Sequence, residues 1–487
     1  MRVLMLGWEF PPFIAGGLGV ACYGLTKALD KLGHQVVFVL PKPVDRRHAS
    51  HVKLLSPDGL RAAAAAASAA AAGAMENIPG FGPSGEMLDE EGQPLQGFQH
   101  ATFRGVPATF SNPYPGGDPA KYLKLSTTGA SAAGFTDAAG AAIQEGESIP
   151  ELSSHASTQV SPPPPSGVLG IGAGHGYGMD LIGDSERYAR LVVALTRREQ
   201  FDVIHAHDWL TYPAGIAVAH VTGKPLIVHV HSTEFDRSGN NVNQRVYDIE
   251  RAGMHAADRV VAVSQMTKSI CVRRYALRPD KVDVVYNGID REAIQPALGA
   301  KIESTDKLVL FLGRITMQKG PEYFIASAKR VLEKVPEAKF VLAGSGDMAL
   351  RMIELAAGMG IGHKVLFTGF LRGRDVDRVY RMADCYVMPS VSEPFGIAAL
   401  EAISHDVPVI LSKTSGASEV LSHVLKVDFW DIDEMANKIV AVLRHPPLSQ
   451  TLREHGSIEL HRLTWDGAAN KCIDSYSSAL ATHNGAR

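Results

Sequence analysis

Two cations stand five residues apart in Gly313-Arg314-Ile315-Thr316-Met317-Gln318-Lys319-Gly320, directly after an apolar run. A guanidinium and an ammonium on one loop can neutralise a diphosphate and stabilise charge on a departing phosphate oxygen. A solvated basic loop is the plainer reading, and the position after a strand favours the functional one. Two carboxylates stand eight apart in Ser392-Glu393-Pro394-Phe395-Gly396-Ile397-Ala398-Ala399-Leu400-Glu401. The following proline holds Glu393 in extended or loop backbone, and Glu401 falls about two turns into the next helix. One carboxylate can face a reacting sugar while the other takes a ribose hydroxyl pair. The alternative is a capping acid plus a surface charge, and the apolar neighbours of Glu401 weaken it. Near the start, Ala15-Gly16-Gly17-Leu18-Gly19 lies between a strand and a helix. Its backbone N–H groups can approach an anion at a helix N-terminus. A plain tight turn explains the same glycines equally well.

Histidines mark two strand ends. His205-Ala206-His207-Asp208-Trp209 offers two imidazoles two residues apart, but no third metal ligand lies nearby in sequence, so no metal is expected. In His229-Val230-His231-Ser232-Thr233-Glu234, alternation puts His229 and His231 on one strand face, from which one can reach a cleft.

These groups need rigid elements to hold them. Strand patterns at Val3–Leu6, Gln35–Leu40, Val203–Ala206, Leu226–His229, Arg259–Val263 and Val282–Val285 alternate with helical spacing. Examples of that spacing are Cys22–Leu32, Arg187–Thr196, Ala214–His220 and Asp248–Ala257. The rhythm restarts after Pro296, with strands from Lys307–Leu312 to Val409–Leu411 and helices from Pro321–Val335 to Ile397–Ile403. Such alternation predicts two doubly wound parallel α/β halves with a cleft between them. The predicted domains are 1–295, 296–462 and a final helical segment, 463–487, with Trp465–Leu480 as its helix. Between about 56 and 174 the pattern collapses into an alanine run, four consecutive prolines and much Gly and Ser. This segment buries too little apolar surface to offset its ordering entropy. It is expected to be an insertion, largely disordered, with Phe103–Leu123 returning to the domain surface.

Composition sets outer bounds. The chain has 487 residues, 45% of them hydrophobic, enough for two cores. A net charge of -3 gives no electrostatic case for nucleic acid or for an anionic membrane. The four cysteines, Cys22, Cys271, Cys385 and Cys472, are widely spaced. That spacing predicts buried free thiols and a reducing cytoplasm, not a disulfide framework. The opening MRVLMLGWEF reads as a first strand, not a signal peptide, and no run approaches the ~20 apolar residues of a membrane span.

Together these motifs resemble the retaining glycosyltransferases of family 4. The resemblance rests on E-P-F-G with a second Glu after it and G-R-x-x-x-x-K-G some 80 residues before. Trp8-Glu9-Phe10-Pro11-Pro12, the double glycine and His205–Trp209 are similar to the glycogen and starch synthase branch, family 5. The resemblance covers everything but the insertion and implies a GT-B fold of two facing Rossmann-like domains, with the donor mainly on the C-terminal half. It implies a nucleotide-diphosphate sugar as donor and a carbohydrate or other hydroxyl as acceptor. On matching positions, Arg314 and Lys319 would hold the diphosphate, with backbone N–H groups from Gly16 and Gly17. Glu401 would bind the ribose, and Glu393 the transferred sugar, beside the backbone of Phe395 and Gly396. His231 would lie beside the reacting sugar and Asp208 on the acceptor side. No metal or other cofactor is implied, because the basic pair does a cation's work, and the final helix would cross back onto the N-terminal domain. Two departures, Ala15 where synthases carry lysine and Phe395 where they carry cysteine, favour family 4 over a true glycogen synthase. An α-glucan synthase using ADP- or UDP-glucose is the nearest alternative. A sugar-nucleotide epimerase and a non-catalytic sugar-nucleotide binder are the alternatives of other classes.

Overall fold

The computed structural model describes residues 1–10, 16–41, 101–105, 181–197, 199–290 and 306–485. The central apolar runs, such as Val203–His207 and Leu226–Val230, become strands buried on both faces, as the middle of a parallel sheet requires. The first sheet contains β1 (Arg2–Leu6), β2 (Gln35–Leu40), β3 (Ala101–Gly105), β4 (Val203–His207), β5 (Leu226–Val230), β6 (Arg259–Ala262) and β7 (Val282–Val284). Its seven strands are all parallel, in the order β3-β2-β1-β4-β5-β6-β7. The second contains β8 (Lys307–Leu312), β9 (Ala338–Ala343), β10 (Val365–Gly369), β11 (Cys385–Met388), β12 (Val409–Ser412) and β13 (Leu425–Val427). These six are also parallel, ordered β10-β9-β8-β11-β12-β13. The chain is therefore a GT-B-type pair of doubly wound sheets. In each, the order reverses beside the first strand, between β1 and β4 and between β8 and β11. A crevice outside the strand carboxyl ends is expected at each reversal.

Residues 101–105, inside the span read as an insertion, form β3, the edge strand paired with β2 from Val36↔Ala101 to Leu40↔Gly105. Phe103–Gly105 belong to the part expected to return to the domain, and Ala101 and Thr102 extend it. The edge of β2 leaves a row of backbone donors and acceptors open, and Ala-Thr-Phe-Arg-Gly carries two good β-formers to satisfy them. The rest of the expected insertion lies outside the described residues, as do Ala15 and the two prolines of the Trp8–Pro12 motif. Order also returns earlier than expected, in the helix Leu181–Thr196.

The final helix, Trp465–Gly485, follows the second sheet in sequence but packs on the first. Tyr476 Oη lies 2.6 Å from His205 Nδ1, Ser475 donates to Asp283 at 2.8 Å, and His483 Nε2 meets the Gly223 carbonyl at 2.9 Å. The halves also meet through side chains. Glu419, beyond β12, accepts from the N–H groups of Gln265 and Met266 at 2.8 and 2.7 Å, capping the helix Gln265–Arg274. It also accepts from the Tyr286 hydroxyl at 3.0 Å. All four cysteines are buried free thiols, as their spacing predicted. Among the described residues no helix is long and apolar enough to cross a membrane.

Candidate active site

The loop after β8 carries the basic pair. Arg314 follows Gly313 directly, and Lys319 ends the single 3-10 turn Met317–Lys319. Gly320 closes that turn at φ 63°, where a Cβ would sit 2.3 Å from the Pro389 carbonyl oxygen, so only glycine fits. The loop after β11 lies against it. Lys319 Nζ is 2.5 Å from Glu393 Oε2, and Ser390 donates to the same oxygen at 3.1 Å. The Glu393 backbone is fixed between Thr414 and Gly416, through bonds of 3.0 and 2.9 Å. Its carboxylate is held by Lys319 and Ser390. Gly396, at φ 106°, caps the helix Ile397–Ser404; a Cβ there would strike Met388 Cε at 2.8 Å. Phe395 is buried against Tyr286, with ring centroids 6.1 Å apart, so its backbone is the part available to a ligand.

Glu401 stands half-buried in that helix, where the Tyr380 hydroxyl donates to its Oε2 at 3.1 Å. Burial raises its pKa, and the tyrosine bond and nearby His405 offset part of the rise.

The first sheet presents different chemistry. Asp208 follows β4 at φ 59°, a left-handed conformation that aspartate tolerates and most residues avoid. Its Oδ1 accepts the backbone N–H groups of His231 and Ser232, at 2.7 and 3.3 Å, tying the ends of β4 and β5 together. Burial lifts its pKa to about 7, against the pull of Arg237 and of those backbone donors. Arg237, which the sequence reading passed over, is anchored on buried Glu234 at 3.1 Å and paired with buried Glu250. The signal was there: an arginine three residues after Glu234 in a motif that ends a buried strand.

One small cavity, of about 40 Å³, lies where the halves face each other. Trp8, Leu18, Asp208, Ser232 and Arg237 line it from the first half, and Arg314 from the second. Of the expected site residues, Asp208 and Arg314 thus share one cavity, and Ser392 donates to Asp236 between the halves at 2.6 Å. Gly16 and Gly17 open the helix Gly17–Lys31 beside Leu18. That helix has no acidic residue in its first turn and no side-chain cap at its start. Among the described residues, a Cβ at either glycine would meet nothing within 4 Å.

The histidines depart furthest from expectation. His205 and His207 do have a third imidazole beside them, which strand register supplies and sequence spacing hides. His207 is paired directly with His229 across β4 and β5. His231 completes a stacked group of four. His205 and His207 lie 4.3 Å apart between centroids, and His229 and His231 4.1 Å. His231 shares a 2.9 Å hydrogen bond with His207. Burial holds the pKa values of His205 and His231 down near 3 and those of His207 and His229 well below the ordinary range, so all four are neutral at pH 7.

Comparison with known proteins places these features. The family model described as glycosyl transferases group 1 matches residues 296–457. Those described as Glycosyltransferase Family 4 and as a starch synthase catalytic domain match 162–293 and 2–71. An uncharacterized glycosyltransferase of Methanocaldococcus jannaschii is 32% identical over 300 residues, spanning 58% of this chain and 76% of that protein. UDP-Gal:alpha-D-GlcNAc-diphosphoundecaprenol alpha-1,3-galactosyltransferase of Escherichia coli is 27% identical over 265 residues, 51% of this chain and 68% of its own. Among solved structures, sucrose-phosphate synthase from Thermosynechococcus elongatus superposes with a TM-score of 0.67 at 17% identity, covering 99% of this chain and 100% of that one. By its sequence and its fold alike, this chain belongs to the group 1 glycosyltransferases.

Proposed function

We propose that this chain transfers a sugar, with retention of anomeric configuration, from a nucleotide-diphosphate donor to a hydroxyl of a carbohydrate or lipid-linked acceptor. The observation that carries the reading is the cavity that Asp208 lines from the first half and Arg314 from the second, with the Lys319–Glu393 pair on the loops of the second half and the His231 N–H on Asp208 in the first. Arg314 and Lys319 would take the diphosphate, and its arrival would draw Lys319 away from Glu393. The uncapped start of the helix at Gly16 and Gly17 adds N–H groups and a favourable dipole for the same anion. Glu401 would hold the ribose, and Glu393 would turn to the sugar hydroxyls.

In the transfer, the acceptor oxygen bonds to the anomeric carbon on the face from which the phosphate leaves. The departing phosphate oxygen takes the acceptor proton. No side-chain base is required, and the protein supplies position and charge. The cleft of about 40 Å³ is far below the ~300–1,000 Å³ of a small-molecule site. Donor entry therefore needs the halves to part, and closure would shut water out. The Escherichia coli relative named for UDP-Gal supports a uridine donor. Free buried cysteines suit a reducing cytoplasm.

A second reading keeps one specific observation: residues 2–71 match the starch synthase model. It makes the chain an α-glucan synthase fed by ADP- or UDP-glucose. A donor panel separates the two. Purified protein is incubated with UDP-, GDP- and ADP-sugars, with and without glucan, and nucleotide release is measured. Release from a UDP- or GDP-sugar that glucan leaves unchanged supports the first reading. ADP- or UDP-glucose turnover accelerated by glucan supports the second. An inverted anomeric centre in the product would remove retention from either.

A further inference from the structure

We propose that His205, His207 and His229 form a binding site for one divalent transition-metal ion, buried beneath the cleft at the carboxyl ends of β4 and β5. One ligand nitrogen from each of the three lies within 4.8 Å of the others. His205 and His207 are fully buried and His229 is 2% exposed. Two ring nitrogens, His207 Nε2 and His229 Nε2, have no hydrogen-bond partner among the described residues. Buried polar atoms are nearly always satisfied, because leaving them dry costs free energy. Two such atoms on paired residues of one cluster mark a missing shared partner.

The surrounding bonds choose the ligand atoms. His205 Nδ1 is engaged by the Tyr476 hydroxyl at 2.6 Å, and His207 Nδ1 by His231 Nε2 at 2.9 Å. This leaves the Nε2 atom of each ring for the ion. Metal-bound histidines are ordinarily oriented in this way, through a hydrogen bond at the other ring nitrogen. His205 Nε2 now sits 3.2 Å from His229 Nδ1, a contact the ion would replace. Two nitrogens on a tetrahedral zinc lie about 3.3 Å apart, given Zn–N of ~2.0–2.1 Å, so the three rings, now stacked at 12–28° to one another, would turn out of the stack to converge on the ion.

Ligand chemistry narrows the ion. Three imidazoles with no carboxylate or thiolate among them suit zinc, copper or nickel and not magnesium or calcium. The ion would fasten β4 and β5, which carry Asp208 and His231, to the final helix through Tyr476. Its role is to position these elements, and it makes no contact with a donor. This inference stands on the histidine geometry and is independent of the transfer reaction.

The test uses the full-length chain without a histidine tag. It is unfolded in denaturant with a chelator, exchanged, and refolded with or without one equivalent of Co2+. Metal per chain is measured, together with visible absorption and the thermal midpoint. The site predicts about one cobalt per chain, d–d absorption of a nitrogen-ligated ion of low coordination number, and a midpoint several degrees above the metal-free protein. His207→Gln should abolish all three. His423→Ala with His455→Ala should abolish none, since that stacked pair near the surface lies outside the cluster. Should His207→Gln fail to fold, the wild-type stoichiometry and absorption decide alone. Wild-type protein that refolds without taking cobalt would overturn the proposal, and so would cobalt held by the His423/His455 pair.

Discussion

The two sheets share one topology and present opposite electrostatics at their carboxyl ends. After β8 and β11 stand charged groups in contact, Arg314 and the Lys319–Glu393 pair, with side chains 21% and 9% exposed in that pair. After β4 and β5 stand groups with suppressed charge: four neutral histidines, three of them buried, and an aspartate whose pKa is about 7. The difference follows from solvent. A partly exposed lysine paired with a carboxylate can keep its charge until a phosphate arrives. A strand end packed under the final helix cannot, and burial there neutralises what it covers. The fold therefore divides the work, with charge for the donor on one half and a dry, positioned surface on the other.

The largest way to break this comparison is to remove charge from the second half. Arg314→Ala and Lys319→Ala should each lower kcat by about 10²–10³, with thermal midpoints close to wild type, as read by nucleotide release and a melting curve. Near-normal turnover in both would end the assignment.

A pH series sharpens the contrast next. The buried histidines have lowered pKa values, so the unfolded chain binds more protons between about pH 6.5 and 3. Stability is therefore lost as pH falls through that window, by up to about 1.4 kcal/mol per pH unit for each histidine. Asp208 runs the other way: its raised pKa makes the folded chain bind more protons between about 4 and 7, so stability rises as pH falls there. Asp208→Asn removes the opposing trend, and its urea midpoint should fall more steeply than wild type from pH 7 to pH 5. Parallel slopes would show that Asp208 does not titrate near 7.

Smaller effects probe the seam. Gly17→Ala meets no packing clash among the described residues, so it should keep the thermal midpoint while raising the donor KM about tenfold, the worth of ~1.4 kcal/mol. Loss of stability instead would return that glycine to a structural role. Ser392→Ala removes one bond across the cleft, worth ~0.5–1.5 kcal/mol. It should change turnover only a few-fold.

Much of this was legible in sequence because period and punctuation agree. The β8 loop, the E-P-F-G turn and most strands announce themselves through apolar runs ended by Gly or Pro. What was missed lacked that signal. The helix Gln265–Arg274 has no apolar stripe and is defined by its Ser264 cap, which accepts from the Thr267 N–H. The helix Pro446–Glu459 is mostly polar and opens on two prolines. β3 sits inside a biased segment and is identified by pairing with β2, a long-range fact. In the site, the meeting of Lys319 with Glu393 spans 74 residues, and that of His205 with Tyr476 spans 271. Spacing named Lys319, Glu393 and His205 and could not join them, and it did not single out Tyr476. For His229, the third imidazole, register alone supplied the link.

The central claim is that a nucleoside diphosphate is held by Arg314 and Lys319 on the second half. Calorimetric titration of UDP, GDP and ADP into wild type and into the Arg314→Ala/Lys319→Ala double variant tests it most directly. The account predicts saturable binding of at least one diphosphate to wild type, and loss of at least ten- to a hundredfold in affinity in the variant. No binding to wild type, or equal affinity in a folded variant, would contradict it.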